Sequence, residues 1–196
     1  MQLAPHLLTT FRELLDAARA AGEPEPTAMT LASADDSGRI SARTVLLKDV
    51  DPEGFVFYTN TLSRKGRQLG AHPQAALLFL WKQLMNQVQV RIEGRIASVT
   101  EAEADAYFAS RPRESQIGAW ASLQSEALDA RETLERRIAE YGAKYEGGPV
   151  PRPPHWSGYR LEPDLIEFWY GRPFRLHERH QWTWKDGDWN EVLLYP

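Results

Sequence analysis

The chain has 196 residues, 26% of them charged, a formal net charge of −4 and no cysteine. That length suits one domain (1–196, with 1–26 a helix and linker) that buries roughly 70% of the surface of its unfolded chain, and the acidic balance speaks against a nucleic-acid partner, which calls for a basic field. The missing cysteines exclude disulfides, thiolate metal sites and a cysteine nucleophile and fit a cytoplasmic protein; no basic-then-apolar leader opens the chain, and its longest apolar run, Ala75 to Trp81, is far shorter than the about 20 residues that span a bilayer.

Leu7, Leu8, Phe11, Leu14, Leu15 and Ala18 recur at helical spacing, with Gly22 as the stop. This helix reads as packing, and Glu23 to Pro26 as a stiff linker. From Thr27 the pattern changes to strands and tight turns. Strands are expected at Met29–Ala34, Ile40–Lys48 and Phe55–Thr59, with turns at Asp35–Gly38 and Asp51–Gly54. Such spacing predicts an antiparallel β-barrel or sandwich. Ser63 reads as the N-cap of a short helix running to about Gly70. Arg64 and Lys65 then occupy its first turn, where the helix dipole disfavours cations, so an anion is expected against them.

Ala75 to Trp81 reads as a fully buried strand, and Val88 to Val99 as a partly alternating one in which Arg91 and Glu93 face solvent or each other. Thr100-Glu-Ala-Glu103 is a capping box that starts a helix carrying Tyr107 and Phe108. Tyr107 and Arg111 share a face if that helix persists to the residue before Pro112. A further helix is expected from about Ala127 to Tyr145, packing through Leu128, Leu134, Ile138 and Tyr141. Glu146 to Pro154 is a loop, the sheet resumes at Trp156, and a final hairpin turns at Lys185-Asp-Gly-Asp188, with Trp182, Trp184 and Trp189 as core or subunit-interface residues.

Between these lies Ile166 to Arg179, IEFWYGRPFRLHER, which reads as two strands joined by a turn at Gly171 to Pro173. On a strand resuming at Arg175, the side chains of Arg175, His177 and Arg179 share one face. A solvated edge strand is the plain alternative. The neighbouring aromatics Phe168, Trp169, Tyr170, Phe174 and Trp182 favour instead a flat, anionic, heteroaromatic ligand. A metal site is not expected: His177 and His180, three apart on a strand, point to opposite faces.

This segment resembles the signature of the pyridoxamine 5′-phosphate oxidase family, matched by Ile166, Glu167, Phe168, Trp169, Arg175, Leu176, His177, Glu178 and Arg179, with Tyr170 a departure. The run from Tyr107 to Trp120, YFASRPRESQIGAW, is also close to the family pattern. The resemblance covers nearly everything from Thr27 onward. It implies a mainly β fold, an antiparallel FMN-binding split β-barrel with packing helices, forming a homodimer with FMN at the subunit interface. The FMN contacts it implies are Arg43, Thr44, Val45, Leu46, Leu47 and Lys48 along one strand, Tyr58 and Thr59, Arg64 and Lys65 at the phosphate, and Gln87, Gln124, Ser125, Trp169 and Arg179. Lys48, Tyr107, Arg111 and Ser115 would cradle a substrate phosphate. Arg175, Leu176 and His177 would hold the substrate ring, with Arg175 and His177 catalytic.

The implied activity is oxidation of pyridoxamine or pyridoxine 5′-phosphate to pyridoxal 5′-phosphate with O2 as acceptor, giving H2O2 and, from the amine, ammonia. The family's usual N-terminal extension over the substrate and its arginine near the C-terminus have no counterpart in the sequence, so a lid is expected to come from elsewhere or to be missing. Two alternatives stand beside this: a related flavin oxidase acting on another metabolite, such as a phenazine precursor, and a flavin- or vitamin-binding protein with little turnover.

Overall fold

The computed structural model describes residues 2–196. Helix α1 (Pro5–Ala20) starts on a proline, which has no N–H to waste there, and is followed by Gly22 at φ 80°. All six apolar residues that mark its pattern are buried. Phe11 is the anchor: its ring meets Phe55 edge-on at 4.9 Å and Phe79 at 5.2 Å. Truncating it to Ala would cost about 3–5 kcal/mol.

The strands are β1 (Ala28–Ala34), β2 (Ile40–Leu46), β3 (Asp49–Asp51), β4 (Gly54–Asn60), β5 (Gln74–Trp81), β6 (Val88–Ser98), β7 (Trp156–Tyr170), β8 (Glu178–Lys185) and β9 (Asp188–Leu193). All pairings are antiparallel, and the order is β2-β1-β5-β6-β7-β4-β3. The sheet curls, and β2 approaches β4. This is the mainly β, antiparallel architecture expected. Helices α2 (Arg64–Ala71), α3 (Glu101–Ser110), α4 (Arg113–Ala121) and α5 (Arg131–Lys144) complete it. The Ser63 cap and both halves of the Thr100–Glu103 capping box are formed.

Strand β7 organises the sheet. Its first residues pair with β4 up to Leu161, its last pair with β8 from Leu165, and β6 runs along its other edge throughout. Pro163 lies between those two ladders, where no partner needs its absent N–H. Opposite it the register shifts at Glu93/Gly94, and a Cβ on Gly94 would lie 2.1 Å from the Glu162 carbonyl oxygen. The chains cross so closely there that only glycine fits.

Several expectations are corrected. Strand β2 ends at Leu46, and Lys48 instead starts the approach to β3. Strand β5 is buried on one face only: Leu77, Phe79 and Trp81 are in the core, while Leu80 is exposed. α3 stops at Ser110, and Arg111 is already extended, because the residue before a proline avoids helical geometry. α4 was not expected at all. α5 starts at Arg131, after Leu128, and buries none of its residues; Leu128 and Ile138 are both exposed. The largest correction lies after β7. Pro173–Arg175 is a 3-10 turn in which Phe174 and Arg175 both have positive φ, and β8 begins only at Glu178. Arg175, His177 and Arg179 therefore do not share a strand face.

Candidate active site

A cleft of about 750 Å³ opens between the exits of β2 and β4, the start of α2, and α3 and α4. Thr44, Val45, Leu46 and Lys48 reach it from β2 and its exit, Tyr58 and Thr59 from β4, and Lys65 from α2. Tyr107 and Arg111 come from α3 and its end, Ser115 from α4, and Gln124 from the segment after α4. Every residue of the expected phosphate cradle is thus in one cleft with about half of the expected flavin contacts. Tyr107 and Arg111 meet there even though the helix ends between them.

The cations of this region share one property. Among the described residues, Arg43, Lys48, Arg64, Lys65 and Arg111 form no ion pair, whereas Arg91, Arg152, Arg160, Arg172 and Arg179 all pair with carboxylates. Two of the first set, Lys65 and Arg43, are held by neutral acceptors. Lys65 Nζ donates to Gln124 Oε1 at 2.8 Å and Thr59 Oγ1 at 3.2 Å. Arg43 donates to Ser33 Oγ at 2.6 Å, to Ser41 Oγ, and to Gln68 Oε1 at 3.1 Å. Burial first, then the charge of Arg43, pushes the Lys65 pKa below its ordinary value, and burial with the charge of Arg64 does the same to Arg43. Neutral acceptors fix these groups in place without cancelling their charge. No acidic residue occupies the first turn of α2, so the helix N-terminus adds to the positive field.

Arg111 is held by aromatic faces. Its guanidinium carbon lies 4.8 Å from the Trp156 ring centroid and 5.6 Å from that of Phe108. Its NH1 is shut off from water and has no acceptor, and burial lowers the group's pKa. Tyr58 lies parallel to both Tyr107 (4.1 Å) and Trp156 (5.3 Å), giving a stack of rings along one wall. The stack exists because Tyr58 sits opposite Gly158 in the β4–β7 ladder: a Cβ there would lie 2.6 Å from the Tyr58 ring. An orphaned buried guanidinium N–H, unpaired cations, hydroxyls and an amide around an aromatic wall suit a planar ligand carrying a phosphate. The residues present fit a phosphate-bearing flavin on these grounds.

In the sequence Trp156 marks only the point where the sheet resumes. Its role is written in the β4–β7 register and carried no sequence signal beyond its being a tryptophan. The other expected residues do not line the cleft. Leu47 is buried in the core, Arg64 borders a smaller depression with Arg67 and Gln68, and Ser125 is exposed at φ 78°. Gln87, Trp169, Arg175, Leu176, His177 and Arg179 form a second group around the far end of β7. Trp156 and Trp169 mark the two ends of that strand, roughly 40 Å of extended chain apart.

In the second group, Gln87 has φ 88°, and its carbonyl accepts from the Gly171 N–H at 2.8 Å. The His177 ring lies 4.4 Å from that of Trp169, and its Nδ1 accepts from the Arg172 N–H at 3.3 Å. Arg175 is exposed. Arg179 donates to the buried Glu167 at 2.6 Å, as Arg91 does at 2.6 Å from the other side. Burial pushes the Glu167 pKa up, but these two arginines outweigh it and hold the carboxyl below its ordinary value. Arg91 also pairs with Glu93.

Residues 14–145 match the family model described as pyridoxamine 5′-phosphate oxidase, and residues 156–196 match the pyridoxine 5′-phosphate oxidase C-terminal dimerisation region. The chain is 56% identical over 196 residues to the pyridoxine/pyridoxamine 5′-phosphate oxidase of Myxococcus xanthus, covering all of this chain and 94% of that one. It is 58% identical to the enzyme of the same name from Caulobacter vibrioides, over 95% of this chain and 83% of that one. Among solved structures it is similar to PhzG from Burkholderia lata 383 in complex with tetrahydrophenazine-1-carboxylic acid, at 35% identity and a TM-score of 0.91 over 99% of this chain and 98% of that one. A pyridoxamine 5′-phosphate oxidase-related, FMN-binding protein from Nostoc punctiforme, 16% identical, covers 100% of both chains with a TM-score of 0.78 and shares the split-barrel fold.

Proposed function

Because the chain belongs to the pyridoxamine 5′-phosphate oxidase family, we propose that it is an FMN-dependent oxidase that converts pyridoxamine and pyridoxine 5′-phosphate to pyridoxal 5′-phosphate, with O2 as electron acceptor. FMN, when bound, would supply the redox chemistry as a two-electron acceptor that O2 reoxidises, with H2O2 as the by-product. The observation that carries the reading is the convergence of Lys48, Tyr107, Arg111 and Ser115 in the cleft that also holds Lys65, Thr59 and Gln124. Two cations and two hydroxyls without a carboxylate suit a phosphate monoester.

In this reading Lys65, with Arg43 and Arg64 behind it, holds the FMN phosphate, while Lys48 and Arg111 hold that of the substrate. Tyr58 and Thr59 position the flavin, and Gln124 locks Lys65 by accepting a hydrogen bond from its Nζ. The second group of residues comes from another copy of the chain. The ends of β7 lie too far apart for one chain to bring Arg175 and His177 to its own cleft, and the region matching the dimerisation model, residues 156–196, contains both. The proposed assembly is a homodimer with FMN at its interface. Arg175 and His177 there hold the substrate ring in hydride-transfer geometry. Since His177 Nδ1 accepts from the Arg172 N–H, the neutral ring presents its proton at Nε2. It is therefore set to donate to a substrate oxygen rather than to take a proton.

A second reading is a related oxidase acting on an unphosphorylated metabolite, favoured by the likeness to PhzG. The test is anaerobic addition of pyridoxamine 5′-phosphate to the FMN-loaded protein, then admission of air. Bleaching of the flavin band, recovery in air and formation of the aldehyde support the oxidase. Bleaching by tetrahydrophenazine-1-carboxylic acid alone supports the second reading, and a yellow protein that binds the phosphate ester without bleaching is a binding protein.

A further inference from the structure

The turn between β7 and β8 is closed by a single pair of side chains. Arg172, at its start, donates from Nε (3.1 Å) and NH2 (2.6 Å) to Glu178 Oε2 at its end, and the Arg172 backbone N–H holds His177 Nδ1 at 3.3 Å. The residues enclosed, Phe174 and Arg175, have φ 58° and φ 62°. Two successive L-residues in the left-handed region are disfavoured and persist only where the surroundings over-determine them. Phe174 supplies no such restraint, since it is almost wholly exposed. The restraint is in the ends of the turn. Gly171 is pinned by its N–H to the Gln87 carbonyl, and Glu178 Oε1 is engaged by His180 Nε2 at 2.9 Å, whose Nδ1 lies 2.7 Å from Glu191 on β9.

We propose that Arg172 and Glu178 are positioning residues: their contact clamps the turn in the conformation that presents Arg175 and His177, and couples it through His180 to β9. The proposal rests on the reading of Arg175 and His177 as substrate-facing residues. The clamp is half-exposed on both sides, so it adds little to global stability. Its effect is on the geometry of the turn, where a misplacement of about 1 Å at reacting groups costs up to roughly a hundredfold in rate.

The experiment compares Arg172→Ala, Glu178→Ala and the double variant in the FMN-loaded protein, with Arg172→Lys as the conservative change. The expected result for Arg172→Ala is a kcat lowered about tenfold, with FMN affinity and melting temperature unchanged and partial recovery in Arg172→Lys. The double variant is expected to be no slower than Glu178→Ala alone, since one contact is lost once. A wild-type kcat in Arg172→Ala, or losses that multiply in the double variant, overturns the clamp. A second readout does not depend on turnover. The 15N shifts of the His177 ring in the flavin-free protein are expected to report a protonated Nε2 in the wild type and averaging between tautomers in Arg172→Ala. Unchanged shifts overturn the proposal even if the wild type proves not to be an oxidase, and averaging upholds it in that case.

Discussion

Arg111 and Trp156 stand face to face, with the guanidinium carbon 4.8 Å from the ring centroid and no carboxylate paired with the cation. The ring holds the charge in place and leaves it undiminished for an anion. Replacing Trp156 by Phe keeps a smaller face and weakens the contact by about 0.5–1 kcal/mol. Steady-state kinetics should show KM for the phosphorylated substrate rising two- to fivefold at nearly constant kcat. A lowered kcat with unchanged KM would refute this assignment.

Lys65 makes a pH-dependent prediction for the flavin-free protein. Its folded pKa lies below the ordinary 10.5 because of burial and Arg43. Between the two values the unfolded chain binds more protons, so stability rises with pH there. Lys65→Met should flatten that rise, raise the melting temperature near neutrality and abolish most of the stabilisation by added inorganic phosphate. Thermal melts from about pH 7 to about pH 10, with and without phosphate, check all three.

Glu167 gives a slope of the same sign at acid pH, but its charged form stabilises the fold where that of Lys65 destabilises it. Its folded pKa lies below the ordinary 4.5, with the arginine hydrogen bonds outweighing burial. Its contribution is present above that ordinary value and is lost as pH falls through the folded one. Glu167→Gln should cost about 1.5–3 kcal/mol at neutral pH, the range for hydrogen bonds to charged groups. Both arginines reach solvent, which keeps the loss near the lower bound. Denaturant titration of variant and wild type should converge in acid, and parallel curves down to the lowest pH would contradict the assignment.

Sharing of the site between copies predicts complementation. Arg111→Ala and Arg175→Ala homodimers should each be nearly inactive. Unfolding and refolding them together in equal amounts should recover about a quarter of wild-type activity, since half the dimers are mixed and each mixed dimer has one intact site. If no activity returns while mixed dimers form, the two residues serve the same copy.

Local signals carried most of the fold. The Ser63 and Thr100 caps, the period of α1 and the Asp186-Gly187 hairpin turn, with φ 54° and 88°, each depend on neighbours in sequence. α4 was hidden because Pro112 and Gly118 are poor local helix signals, whereas its stability comes from packing: Ile117 and Ala121 are buried, and the Gln116 amide donates to the Phe108 carbonyl at 2.9 Å. For α5 the periodicity marked an apolar side but not what would cover it. At Arg175 the alternation was real in the sequence and absent from the backbone, since left-handed geometry at a residue other than glycine leaves no local mark. Of the candidate site, only the Arg64–Lys65 pair after the Ser63 cap carried a local signal; Lys48, Tyr107, Arg111 and Ser115 were brought together by the family resemblance, since Lys48 is far from the others in the chain. Trp156 was not legible, because its partners Arg111 and Tyr58 are distant in the chain.

The change of neighbours along β7 has a mechanical consequence. Gly94 and Pro163 sit where the strand changes neighbours, touching neither the aromatic wall at Trp156 nor the turn beyond Trp169. They stand between the cleft end of the strand and the turn end, so the relative placement of the two candidate groups depends on this one crossing. A methyl group at 94 would lie against the Glu162 carbonyl and force β6 and β7 apart at this crossing. A substitution there disturbs both groups at once.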